Sequence, residues 1–493
     1  MADVDIQEEA ISLPVDAPHS TKFILAKSYF DCREYDRCAR TLQHETSPLA
    51  LFLQLYAKYI AGEKRREEEK EGILSPKDNA YPSRVISDIV HAIEESTYQE
   101  DPFLLYLYGV TLRKQNFDSR ALEVLVKSVT IFPYNWSAWL ELRDCLGTIH
   151  DLDQLQKRLP KHLISDLFII HAKQEFFQCN QELIASVDKL QDSIFFESTF
   201  LKIQKAKIAY HGLMYKESEE LFDQVITNDP YCLDDLDIYS NILYVMEQGP
   251  KLAFLAQLVT SVDRFRSESC LVVANYYSLK AEHEKAITYY QRALILNRSC
   301  LSAWTLMGHE FVELKNTHAA IESYRRAVDA NKRDFRAWYG LGQAYEFLEM
   351  HYYSLYYFQK AATLKPMDVR MWLALGQCYN KLDRVTDSIK AFKRALHLSD
   401  MDPAILLKIA TSYEKIGDID NAATYMKLSA AEPDDGLSSE EFAHARLWLA
   451  RQEMSRHNWT AAYEYVKDIH SGDPNEVQEA RSIARDAKSR MDM

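Results

Sequence analysis

Turn-forming residues are scarce in this chain of 493 residues, which has 13 glycines and 14 prolines where averages of ~7% and ~5% would supply far more. Folds of short strands need a Gly, Pro or Asn-Gly turn every ~8–12 residues, so a sandwich or barrel is excluded and an all-α chain is expected. The eight cysteines, from Cys32 to Cys378, form no Cys-x-x-Cys pair. That spacing excludes a zinc ribbon and a disulfide scaffold and leaves reduced, mostly buried thiols as the expectation. No apolar run approaches the ~20 residues needed to span a bilayer, and MADVDIQEEA does not read as a secretory leader; a soluble, intracellular protein is expected. Basic charge is in deficit too, with 58 Lys+Arg against 73 Asp+Glu and a net charge of −15. This balance opposes phosphate backbones and anionic lipid surfaces, so neither nucleic acid nor membrane is expected as a partner, and basic or mixed-charge proteins are.

What the chain does have is a period. Starts at 199, 233, 267, 301, 335, 369 and 403 are spaced 34 residues apart without a gap. In the last five repeats the fourth position reads Cys270, Trp304, Trp338, Trp372 and Leu406; the eighth reads Ala274, Gly308, Gly342, Gly376 and Ala410. The eleventh is Tyr277, Phe311, Tyr345, Tyr379 and Tyr413, and the twenty-fourth is Tyr290, Tyr324, Phe358, Phe392 and Met426. Large residues at helical spacing form an apolar stripe, and small ones mark where two helices cross. A glycine inside a helix costs about 1 kcal/mol relative to alanine, so Gly308, Gly342 and Gly376 imply close backbone approach that offsets it. Pro133, Pro230 and Pro366 stop second helices before the next repeat. This is the tetratricopeptide (TPR) pattern, an α-solenoid of antiparallel helix pairs in a right-handed superhelix; a generic bundle would not hold one period through seven repeats.

The flanks follow less cleanly. Residues 1–18 read as a flexible lead, 19–198 as TPR-like repeats with a polar loop insertion at 62–82, 199–436 as the seven regular repeats, and 437–493 as a further repeat with a capping helix after a slip near Gly436. Ser75-Pro76, inside the insertion, is a site able to accept phosphate.

Catalytic signatures are missing. The repeats occupy nearly the whole chain and leave no room for a catalytic domain of ~100–150 residues. His283-Glu284 and His309-Glu310 begin like a zinc-protease helix, but Ile287 and Glu313 stand where the second histidine belongs; both pairs are read as surface polar groups. Gly340-Leu341-Gly342 imitates a dinucleotide fingerprint without the preceding strand or third glycine. No enzyme, cofactor or metal is expected.

A solenoid binds along the wall formed by its first helices. The ninth position reads Asn241, Asn275, His309, Gln343, Gln377 and Thr411, a polar ladder suited to the backbone of an extended peptide. Asp237, Tyr244, Glu268, Arg336, Tyr339, Glu346 and Asn380 stand nearby in the register, the acids suited to a ligand arginine. A concave wall must be polar to stay solvated, so the run of six rather than any one residue carries this reading. Clamping of a C-terminal carboxylate would need cations near the fifth and ninth positions; Leu271, Thr305, Tyr339 and Leu373 occupy the fifth, which weakens a chaperone-adaptor role.

Beyond the generic repeat, NYYSLKAEHEKAITYYQRAL from Asn275, the stretch from Ala303 containing KNTHAAI and NKRDFRAWYGLGQ, and, nearer the start, AKSYFDCREYDRCA from Ala26 and LYLYGVTLRK from Leu105 are distinctive. Together they resemble the TPR scaffold subunit eight of the anaphase-promoting complex, the cell-division-cycle protein twenty-three family, over nearly the whole chain. The resemblance implies a non-catalytic subunit of a nuclear and cytoplasmic ubiquitin ligase that controls mitosis. It also implies a homodimer paired through residues 19–198 and contacts with TPR, platform and small stabilising subunits. The groove around Asn241, Asn275, His309 and Gln343 would receive the basic-aromatic C-box segment of a coactivator. A TPR adaptor for extended peptides in a chaperone or transport assembly is the alternative.

Overall fold

The computed structural model describes residues 21–45, 47–69, 84–96, 98, 100–176, 181–193, 196, 198–298, 300–399, 402–430, 440–467, 469 and 474–491. The lead, Ser75-Pro76, Cys179 and Gly436 lie outside them. Among the described residues there are helices and no strand, as the shortage of turn formers requires. The chain divides into two compact units, Met1–Lys251 and Leu252–Met493. This division falls inside helix Gly249–Val262 rather than at either end of the regular repeats.

In the C-terminal unit, helix pairs follow the period. They are Ser267–Leu279 with His283–Leu296, Leu301–Glu313 with Thr317–Ala330, Phe335–Phe347 with His351–Leu364, Val369–Lys381 with Val385–Leu398, and Pro403–Ile416 with Ile419–Ser429. Glu440–Ser455 pairs with Trp459–Val466, and Pro474–Met491 packs on both. In the N-terminal unit, Pro102–Lys114 with Asp118–Ile131 and Thr199–His211 with Tyr215–Asn228 are the regular pairs. The repeat starting at 233 departs from the rest: its first helix, Leu236–Val245, begins only at the fourth position, after a left-handed Asp235 (φ 57°).

The turn between paired helices is built the same way each time. Its fifteenth residue is left-handed: Ala281 (φ 58°), Lys315 (φ 60°), Glu349 (φ 59°), Asp383 (φ 58°) and Gly417 (φ 85°). The next N–H then donates back to the carbonyl of the eleventh residue, as Glu282 to Tyr277 (3.0 Å), Asn316 to Phe311 (2.8 Å) and Arg384 to Tyr379 (3.0 Å). This closes the helix end in a Schellman-type turn. Four of those five residues are not glycine and accept a left-handed strain of about 1 kcal/mol each. Later first helices start on aspartate caps: Asp334, Asp368 and Asp402 accept from the backbone N–H of Arg336, Arg370 and Ala404 at 2.9–3.0 Å.

The periodic columns become three contacts. At the fourth position, each tryptophan donates its indole N–H to the loop six residues before it: Trp304 to the carbonyl of Arg298 (3.1 Å), Trp338 to Lys332 (2.9 Å) and Trp372 to Pro366 (2.8 Å). Trp139 does likewise to Pro133 (2.7 Å) in the N-terminal unit. Trp304 is buried, whereas Trp338 and Trp372 are half-buried. At the eighth position, a Cβ on Gly308 would lie 2.5 Å from the Tyr324 ring, and one on Gly342 2.5 Å from Phe358; Gly376 abuts Phe392 in the same way. Those rings are at most 1% exposed, so the glycines are what admit them. A Cβ on Gly340 would likewise lie 2.6 Å from Tyr324, and thus the ring is wedged between consecutive repeats.

The third contact clasps neighbours: the twenty-fifth residue reaches the eleventh-position tyrosine of the next repeat. Arg325 donates to the Tyr345 hydroxyl at 2.6 Å and Gln359 to that of Tyr379 at 3.0 Å, while the Lys393 ammonium lies 5.3 Å from the Tyr413 ring centre.

Two expectations need correction. The polar insertion does not begin as a loop at 62, because helix Pro48–Glu68 continues into its first seven residues. Ion pairs Lys64–Glu68 (3.8 Å) and Arg66–Glu63 (3.3 Å), one turn apart, support the extension, as does Lys114 on Glu63 (3.1 Å). Nor is Glu310 a surface group. It is 5% exposed and ties its repeat to the one before, accepting from Ser278 Oγ at 2.6 Å and meeting His283 Nδ1 at 2.7 Å.

Candidate docking wall

First helices of successive repeats touch one another in the C-terminal unit, Ser267–Leu279 against Leu301–Glu313 and that against Phe335–Phe347, and each second helix bridges to the next first helix. The stack therefore closes on the side of the first helices, and the second, fifth, ninth and twelfth positions line its inner wall.

The ninth-position residues of this wall fall into two groups. Asn275 is 2% exposed, and its Oδ1 accepts from the Tyr290 hydroxyl at 2.6 Å; it belongs to the wall's interior and is withdrawn as a rung. His309 keeps an exposed edge, but its Nδ1 shares a hydrogen bond of 2.9 Å with the Tyr324 hydroxyl. Protein crowded round the ring, and then the charge of Arg336, push its pKa down to about 4, so the imidazole is neutral at pH 7. In the next two repeats the twenty-fourth residue is phenylalanine, with no hydroxyl to offer. There Gln343 is half-buried and Gln377 exposed, and each amide has both donor and acceptor capacity. Thr411 is half-buried and donates to the Lys408 carbonyl at 3.1 Å.

Around these amides the wall is mixed in charge. Tyr339 lies against Phe358 with the ring centres 5.4 Å apart and the planes tilted by 48°, and burial raises its hydroxyl pKa. Glu346 pairs with Lys381 at 2.7 Å, and Glu268 accepts from Arg266 (3.1 Å) and Ser267 (3.0 Å). Arg336 lies 3.8 Å from Asp334. Arg370, a second-position residue that the register could have supplied but the candidate set omitted, is held by two bonds to Asp368 at 3.1 and 2.8 Å. Burial alone would raise the Asp368 carboxyl, yet the Arg370 hydrogen bonds and charge hold it below its ordinary value. Asn380 donates to Ser412 at 3.2 Å, while its Oδ1 is buried without a partner. The wall is thus a tyrosine and two open amides flanked by guanidinium and carboxylate groups, a surface that hydrogen-bonds main chain and side chains of either sign.

Asn241, half-buried, Asp237 and Tyr244 lie in the N-terminal unit. At the ninth position of the preceding repeat that unit has Lys207, 5% exposed and paired with Asp235 at 3.1 Å.

Catalytic chemistry finds little footing. Gly340-Leu341-Gly342 lies inside a helix, and burial pushes the thiols of Cys38 and Cys145 up to about 11 and 12, far from the thiolate form. No group of three metal-ligating side chains occurs among the described residues, and none of the described helices is long and apolar enough to cross a membrane.

Comparison with known proteins adds identity to this geometry. The family model for anaphase promoting complex subunit 8 / Cdc23 matches residues 4–206, and that for the C-terminal domain of cilia and flagella-associated protein 70 matches residues 245–484. Anaphase-promoting complex subunit 8 of Arabidopsis thaliana is 44% identical over 300 residues, covering 60% of this chain and 51% of the plant protein. The chain thus spans about half the length of that relative. The crystal structure of the APC/C hetero-tetramer Cut9-Hcn1 superposes with a TM-score of 0.63 at 17% identity, over 94% of this chain and 89% of the other; at that identity it speaks for the fold alone. Anaphase-promoting complex subunit CDC23 of Saccharomyces cerevisiae is 39% identical across 95% of this chain and 86% of its own length, and the chain therefore belongs to the anaphase-promoting complex subunit 8 / Cdc23 family.

Proposed function

We propose that this chain is a non-catalytic scaffold of an anaphase-promoting complex. In this reading its inner wall in the C-terminal unit receives the C-box segment of a coactivator, its N-terminal repeats pair with those of a second copy, and its other faces meet neighbouring subunits, in the service of mitotic control in nucleus and cytoplasm. Family membership supports the assembly. The observation that supports docking is the pair of open amides, Gln343 and Gln377, one repeat apart beside Tyr339 and Arg370. Glutamine amides in this setting meet an extended main chain at both N–H and C=O, and Glu346 can exchange Lys381 for a ligand arginine.

Binding of a synthetic C-box peptide, followed by calorimetry, tests the reading. With each bond contributing roughly 0.5–1.5 kcal/mol, Gln343→Ala combined with Gln377→Ala is expected to weaken binding by about tenfold. An unchanged Kd with intact helicity removes the wall from the account. Light scattering on the purified chain tests pairing separately, because a monomer at every concentration contradicts it.

A further inference from the structure

A second surface lies in the same unit but not on the inner wall. Between the loop at Pro366 and Met367 and helix Val385–Leu398 is an open cleft of about 550 Å³. Lys390, Lys393, Arg394 and His397 enter it from that helix at i, i+3, i+4 and i+7, one stripe facing away from the core. Its lining includes no carboxylate; Asp387, which meets Lys390 at 3.2 Å, sits one turn back on the helix. In a chain of net charge −15 this is a local reversal of sign.

Two of the cations are already positioned. The Arg394 guanidinium lies 4.4 Å above the Trp372 ring, and the Lys393 ammonium is 5.3 Å and 5.7 Å from the ring centres of Tyr413 and Tyr425. Neither must be ordered afresh when a ligand arrives, which lowers the cost of binding. Lys390, paired with Asp387, has a side chain 78% exposed, His397 is exposed, and Met367, 77% exposed, offers an apolar floor beside Pro366.

We propose that this cleft docks an acidic segment of a partner protein that inserts an apolar side chain against Met367 between the four basic groups. Charge complementarity selects the acidic flank, and the apolar floor separates such a segment from a bare polyanion. Like-charged groups gathered on one stripe repel one another, and an anionic ligand relieves that repulsion.

The test uses the full chain and a fluorescein-labelled Asp/Glu peptide with one central phenylalanine, read by anisotropy. Lys390→Glu with His397→Glu, both at exposed rim positions, is expected to weaken binding by about tenfold or more. Met367→Ala, or serine in place of the peptide's phenylalanine, is expected to weaken it about threefold. Gln343→Ala with Gln377→Ala should leave this Kd unchanged, so failure here and failure of the inner-wall reading are distinguishable. An unchanged Kd in the double rim variant, equal affinity for the serine peptide, or equal affinity for single-stranded DNA of matched charge would each overturn the proposal. Should the rim variant lose its helical circular dichroism, the Met367→Ala measurement decides.

Discussion

Two stretches of the inner wall carry the same repeat yet present it differently. In the repeats starting at 267 and 301 the ring beneath the wall is tyrosine, and its hydroxyl ties the ninth-position polar group: Tyr290 holds Asn275 at 2.6 Å and Tyr324 holds His309 at 2.9 Å. In those starting at 335 and 369 the ring is phenylalanine, Phe358 or Phe392, which offers no hydroxyl to the half-buried Gln343 or the exposed Gln377. One oxygen atom per repeat decides whether the ninth-position group is tied to the ring beneath it, though not its exposure, since His309 is exposed and Gln343 half-buried. Packing beneath is common to both stretches, since a glycine admits the ring in Gly308, Gly342 and Gly376 alike.

The largest effect should come from breaking that shared foundation. Gly342→Leu drives a side chain into Phe358, and Gly308→Leu into Tyr324; overpacking of this kind costs about 1–3 kcal/mol or more. Both variants should lower the midpoint of urea unfolding by similar amounts, despite their different wall chemistry. A much milder Gly308→Leu would mean that the two stretches are not supported alike.

Breaking only one side of the comparison should cost less. Tyr290→Phe converts an inward-tied repeat into the open kind and leaves the buried Asn275 Oδ1 without the hydroxyl, a loss of about 1–2 kcal/mol in urea unfolding. The opposite exchange, Phe358→Tyr, brings a hydroxyl within reach of Gln343. It should leave stability nearly unchanged and weaken C-box peptide binding about twofold to threefold, because the amide then has a competing partner.

This comparison also marks how far the sequence could be read. The period, the tryptophan column and the glycine column were legible because each answers to a single close contact: indole to loop carbonyl, and glycine to ring. Column nine was legible as polar but not as two classes, because its environment is set by a residue fifteen positions later; reading Asn275 with Tyr290, and Gln343 with Phe358, would have divided it. Glu310 was misplaced because a carboxylate seldom enters an interior unpaired, and its partners Ser278 and His283 come from the preceding repeat. The left-handed fifteenth position escaped notice since only Gly417 advertises it. That last point has a small, checkable consequence. Ala281→Gly relieves a left-handed alanine while adding chain entropy to the unfolded state, and the net gain should be ~0.5 kcal/mol or less, measured as a slight rise in urea midpoint.

The finest distinction within the inward-tied stretch is between an amide, which does not titrate, and an imidazole, which does. The native His309 ring, crowded by protein and near Arg336, accepts a proton only near pH 4, against an ordinary value of 6.5. Since the unfolded chain takes that proton more readily, the contribution of His309 to stability is complete above about pH 6.5 and is lost progressively as pH falls toward about 4. The exposed edge of the ring screens the effect, so the slope should be shallow. His309→Gln should flatten the stability curve across that window, and the His309 ring proton should titrate well below the ordinary 6.5 by NMR. Tyr324→Phe removes the hydroxyl that orients Nδ1 and makes this repeat resemble its neighbour. If the ring then titrates no differently, the crowding of the wall rather than the tyrosine tie governs His309, and the contrast between the two stretches rests on the amides alone.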